Sequence, residues 1–141
     1  VPNPKMRNDN QGHGHFGADR DGGKRRHKGV DIESAPKTVV KSPVDGVVER
    51  IGDPYGDGNY KIVWIRTKDN REVGLYYVTP NDADGNPIIK PGDPVKSGAP
   101  VGTMQDLTKK FPGMDNHLHL EILRGGKAVD PAPWLKQWGL K

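Results

Sequence analysis

His117-Leu118-His119-Leu120-Glu121 repeats with a period of two, the period of a β-strand and not of a helix. His117, His119 and Glu121 therefore share one face of an extended chain. A second segment, His27-Lys28-Gly29-Val30-Asp31, lies about ninety positions earlier, and its polar ends, four apart, also point to one face. Two such strands, paired with those faces aligned, gather three imidazoles and one carboxylate. Neutral imidazole and carboxylate oxygen are ligands for Zn²⁺. Three protein ligands with a position left open for water mark a catalytic site, and four closed ligands mark a structural one. Either pattern alone is a weak signal. Together, in strand-like contexts, they predict a metal site.

The rest of the composition agrees with an all-β domain. The chain has 141 residues, enough for one domain with a real core. Only 32% of residues are hydrophobic, and 19 Gly and 13 Pro are scattered between β-rich runs such as Lys61-Ile62-Val63-Trp64-Ile65-Arg66. Loop-rich all-β domains have this texture. There is no Cys, which excludes disulfides, thiolate chemistry and Cys-based zinc sites. No run approaches 18 apolar residues, so no membrane-spanning helix is expected. The chain opens at Val1 without a signal-peptide pattern and reads as a mature form or as a domain cut from a longer protein. Net charge is +4 and the pI about 9.3. The one dense basic cluster, Lys24-Arg25-Arg26-His27-Lys28, runs into the expected metal site, where it suits an anionic polymer. No aromatic stacking run or nucleic-acid motif accompanies it, so nucleic acid is not an expected partner.

Along the chain, residues 1–26 read as an extended N-terminal loop segment carrying His13, His15 and Phe16. Strands are expected over Val30–Glu33, Thr38–Lys41, Val44–Ile51 with a bend at Gly46, Tyr60–Thr67, Glu72–Val78, Pro100–Met104 and His117–Leu123. Asp69-Asn70 is a hairpin turn signal. Asp106 to Phe111 reads as a single helical turn. A short C-terminal helix is expected after Asp130, which would cap it, with Pro131 in its first turn. No internal repeat is visible, and residues 1–141 read as one domain.

These motifs, taken in order, resemble the lysostaphin-type zinc metallopeptidases. The matching elements are Phe16-Gly17 with Arg20, His27-Lys28-Gly29-Val30-Asp31, Pro43-Val44-Asp45-Gly46-Val47, a segment from Val95 through Gly98 to Gly102, and His117-Leu118-His119-Leu120-Glu121. The resemblance covers roughly residues 13 to 133. It implies antiparallel sheets forming a groove with Zn²⁺ on its floor, and cleavage of the peptide cross-links of bacterial peptidoglycan. Carried over by position, it places the metal ligands on His27, Asp31 and His119, and an acid/base role on His117. The partners it implies are peptidoglycan peptide stems. The location it implies is periplasmic, extracellular or delivered to the cell envelope.

One departure matters. Active members of the family carry a further non-ligand His in a Tyr-x-His-Leu segment, and by position Val78 stands in its place. Vertebrate chemotaxin relatives show a similar loss, and the Tyr77-Val78-Thr79-Pro80 run and the Phe111–His117 approach resemble that subgroup. His15 is expected to compensate, with His13 beside it at the groove. The hydroxyls of Tyr76 and Tyr77 are alternatives. Glu121 is a candidate acceptor for the second N–H of His119, the alternative being a solvent-facing strand carboxylate. The leading expectation is a zinc endopeptidase. Its rival is a non-catalytic, zinc-stabilised binding domain of the same fold, recognising cell-wall or protein partners.

Overall fold

A computed structural model describes residues 31–56, 58–108, 110 and 116–129 in full, and residues 5–6, 8–9, 12–13, 19–20, 25–26 and 30 by their backbone only. The N-terminal region, expected as a loop, contributes short strands: β1 (Lys5–Met6), β2 (Asn8–Asp9), β3 (Gly12–His13), β4 (Asp19–Arg20) and β5 (Arg25–Arg26). There follow β6 (Val30–Glu33), β7 (Val39–Lys41), β8 (Gly46–Gly52), β9 (Ile62–Arg66) and β10 (Arg71–Tyr76). The chain continues with β11 (Val78–Thr79), β12 (Pro94–Val95), β13 (Pro100–Met104), β14 (His117–Arg124) and β15 (Lys127–Val129). Among the described residues there is no helix. The segment from Asp106 is a turn, closed by Lys110 N–H donating to the Leu107 carbonyl. The expected C-terminal helix lies outside the described residues.

The main sheet is antiparallel, in the order β1-β6-β14-β10-β9-β8-β12, with β15 also on β14. A smaller sheet has the order β11-β13-β7. Alternation along β14 explains how the main sheet is built. Leu118, Leu120 and Ile122 are fully buried and join Ile32, Val63, Ile65, Val73 and Leu75 in the core. Val40, Val78, Val101 and Met104 enter the same core from the smaller sheet. That leaves His117, His119 and Glu121 for the opposite face of β14, as their spacing requires. Burying the apolar set stabilises each large side chain by about 1.5–3 kcal/mol. It also fixes the register, because a slip of one residue would exchange histidines for leucines in the core.

The β9–β10 hairpin turns at Asp69-Asn70, as expected, with Asn70 in the left-handed region at φ 63°. The segment expected as a strand from Glu72 to Val78 divides in two. Tyr76 ends β10, Tyr77 has φ 71°, and Val78 begins β11 in the other sheet. The N–H groups of both Tyr77 and Val78 donate to the Lys61 carbonyl, at 2.8 and 3.3 Å. Two residues opposite one is a β-bulge, which bends a strand and re-aims a side chain. A left-handed non-glycine residue in such a place carries about 1–3 kcal/mol of strain.

Candidate functional site

Register brings the two sequence motifs together. In the β6–β14 ladder His119 lies opposite Asp31 and His117 opposite Glu33. On the other side of β14, Tyr76 lies opposite His119 and Gly74 opposite Glu121. One row across the sheet therefore reads Asp31, His119, Tyr76. Gly74 is small for a reason: a Cβ there would stand 2.6 Å from the Trp64 ring, which packs edge-on to Tyr76 with centroids 6.0 Å apart.

The polar groups of that row converge. Asp31 is 3% exposed and His117 4%. His119 Nδ1 lies 2.7 Å from Asp31 Oδ1, and its Nε2 lies 3.0 Å from Glu121 Oε1. His117 Nε2 is 3.8 Å from the other Asp31 oxygen, Oδ2. The Tyr76 hydroxyl donates to Glu121 Oε2 at 3.3 Å, and its ring meets His119 edge-on at 4.7 Å. Burial on its own lowers the pKa of the His119 imidazole. The hydrogen bonds to Asp31 and Glu121 outweigh it and push the value up to about 9. With a carboxylate at each nitrogen, the ring is held as the imidazolium and both N–H groups donate.

The structure thus gathers Asp31, His117, His119, Glu121 and Tyr76 on one face. His27 and His15 lie outside the described residues, as does the His13 side chain; the His13 backbone pairs with Asn8. Val78 does not face this cluster. Its side chain is fully buried in the core, and in the β11–β13 ladder it lies opposite Met104. The residue beside His117 is Tyr77, with ring centroids 5.6 Å apart and planes at 87°. The bulge explains the difference: position along a continuous strand puts Val78 on the site face, and one extra residue moves it off.

Two supporting residues carry no motif. Asn116 immediately precedes His117. Its side-chain amide donates to the carbonyls of Ser34 at 2.7 Å and Gln105 at 3.0 Å, and its oxygen accepts from Leu107 N–H at 2.7 Å. It ties three segments at the entry to β14. Tyr55, far from Tyr77 in sequence, places its hydroxyl 2.7 Å from the Tyr77 hydroxyl. Neither contact has a sequence signal, because each joins segments whose proximity is set by the sheet.

An antiparallel β domain with a buried Asp-His pair on adjacent strands and a second His two residues away defines a metallopeptidase-like architecture. The model of peptidase family M23 matches residues 25–131, and the chain belongs to that family. It is 31% identical over 114 residues to leukocyte cell-derived chemotaxin-2 of Mus musculus, covering 80% of this chain and 69% of that protein. It is 32% identical over 108 residues to an uncharacterized metalloprotease of Haemophilus influenzae, covering 76% of this chain and 20% of that one. Its fold is similar to the solution structure of lysostaphin, with a TM-score of 0.70 at 24% identity over 99% of this chain and 53% of the other. It is likewise similar to LytU, with a TM-score of 0.70 at 23% identity over 94% of this chain and 88% of that one.

Proposed function

We propose that this chain is a zinc-dependent endopeptidase that cleaves peptide cross-links of bacterial peptidoglycan. His27, Asp31 and His119 hold the metal, and His117 handles the proton. The observation that carries the reading is the convergence of His119 Nδ1 and Asp31 Oδ1 to 2.7 Å, with the far nitrogen of the same ring on Glu121. These donors suit zinc. A buried carboxylate needs a positive partner, and a metal replacing the Nδ1 proton supplies one. Glu121 keeps Nε2 protonated, which leaves Nδ1 as the ligand nitrogen, the arrangement of a metal-bound imidazole backed by a carboxylate. When bound, Zn²⁺ supplies Lewis acidity that activates water and polarises the scissile carbonyl.

The protein's own part is proton handling and orientation. His117, buried beside Asp31, takes the proton from the attacking water and returns it to the leaving amine. A C–O bond forms, the amide C–N bond breaks, and the proton ends on nitrogen. Peptide stems are the substrate, and the site of action is the periplasm, the extracellular space or an envelope to which the protein is delivered.

Purified peptidoglycan, digested with and without a chelator, tests the reading. New amino groups and shortened cross-links by mass are expected only without chelator. His117→Ala is expected to keep zinc and lose turnover by about 10²-fold or more. The similarity to chemotaxin-2 favours a second reading, a non-catalytic zinc-stabilised binding domain. Retention on peptidoglycan with no cleavage products would establish that one instead.

A further inference from the structure

Tyr77 stands beside His117 and has no task in the function proposed above. Its backbone is left-handed at φ 71°, at the bulge where two N–H groups meet the Lys61 carbonyl. Glycine usually fills such a position. The bulge sends three neighbouring side chains to three places: Tyr76 stays in the row beside His119, Val78 drops into the core, and Tyr77 comes against His117. The Tyr77 hydroxyl lies 2.7 Å from that of Tyr55. Tyr55 also stacks on Tyr77, with centroids 6.3 Å apart, and lies under the Lys110 ammonium, 4.4 Å from its ring centroid. One hydroxyl of a phenol pair must donate. Either hydroxyl can be the donor; when a third oxygen accepts from Tyr77, Tyr55 turns to donate to it.

We propose that Tyr77 is a catalytic residue: its hydroxyl donates a hydrogen bond to the scissile carbonyl oxygen as negative charge gathers there, and Tyr55 is the positioning residue that aims it. The proposal rests on the endopeptidase reading. Burial, the hydrogen bond with Tyr55 and the negative charges nearby, Asp31 among them, all push the Tyr77 phenol's pKa up. It therefore stays protonated, which suits a donor to an oxyanion and not a base. No bond to hydrogen breaks at Tyr77; His117 carries the proton that moves from water to amine. A preorganised donor of this kind acts where charge develops and little in the ground state.

Tyr77→Phe removes one oxygen and leaves the ring against His117. With the intact chain and peptidoglycan, it is expected to lower kcat by about 10²–10³-fold and to leave KM within about twofold. Tyr55→Phe is expected to lower kcat by about tenfold, the effect of one lost hydrogen bond. Zinc content and melting temperature should match wild type in both variants. Affinity for a phosphinate analogue of the cleaved bond should fall with kcat in Tyr77→Phe, while affinity for the cleaved peptide product holds. Equal turnover in wild type and Tyr77→Phe overturns the proposal and leaves the endopeptidase standing. Loss of zinc or of melting temperature together with activity makes Tyr77 structural and also overturns it. A wild type that cleaves nothing overturns both.

Discussion

Val78 shows how much one residue depends on its surroundings. By position in a Tyr-x-His pattern it marks a missing histidine. In the fold it is fully buried among Val40, Val101 and Met104. Val78→His is therefore expected to place an imidazole in the apolar core, destabilising the domain by about 2 kcal/mol or more and giving no gain in cleavage. Urea unfolding checks the first half and a peptidoglycan digest the second; a stable variant with raised turnover would return Val78 to the site. Glu121 is the opposite case. Its place on the His119 face follows from spacing alone, and its oxygen lies 3.0 Å from His119 Nε2. Glu121→Gln is expected to weaken zinc about 10–100-fold, read by competition with a chromophoric chelator. Unchanged affinity would reduce Glu121 to a partner of Tyr76.

At the scale of elements, the motif strands were legible because their chemistry and their period coincide. His117, His119 and Glu121 alternate with Leu118, Leu120 and Ile122, and burial of the leucines leaves no choice of face. The bulge at Tyr77 was not legible: its signal is a left-handed tyrosine, and only pairing with Lys61 and Met104 demands it. The four buried positions in a row of β9, from Ile62 to Ile65, also hide alternation, because Trp64 is buried on the site face by Tyr76. The Asp69-Asn70 turn was legible and has a titratable lock. Hydrogen bonds from Arg71 and then Thr67 hold the Asp69 carboxyl at about 2, below its ordinary 3.8. The folded value is the lower one, so the turn's contribution is full above 3.8 and fades as pH falls toward 2. The gap in urea midpoint between wild type and Asp69→Asn should shrink as pH drops from about 5 to about 2. Asp69 is exposed, so the effect is small and weakens with salt. A gap that stays constant with pH would show that the charge contributes nothing.

For the whole molecule, the proposed metal joins segments that are distant in sequence. Asp31 on β6 and His119 on β14 are neighbours only in the folded sheet. The unfolded chain scatters the donors, so zinc should bind the native state far better and raise its stability by mass action. At a free zinc concentration about 1,000 times its Kd this is worth about 4 kcal/mol. For a domain of this size it corresponds to a rise in Tm of roughly 10–15 °C. Scanning calorimetry across a zinc titration should show that rise, and a chelator should reverse it. His27→Ala, Asp31→Ala and His119→Ala should each flatten the response, whatever they do to activity. His117→Ala should keep it, since the role proposed for His117 is to handle a proton and not to bind the metal. Two results would redraw the site. A flat response in His117→Ala would make both histidines of the pair ligands, and a full response in His27→Ala would mean that the metal is held without the N-terminal segment. A wild-type Tm indifferent to zinc would remove the metal from the reading altogether and leave Asp31, His119 and Glu121 as a buried hydrogen-bonded ion cluster in an otherwise apolar fold.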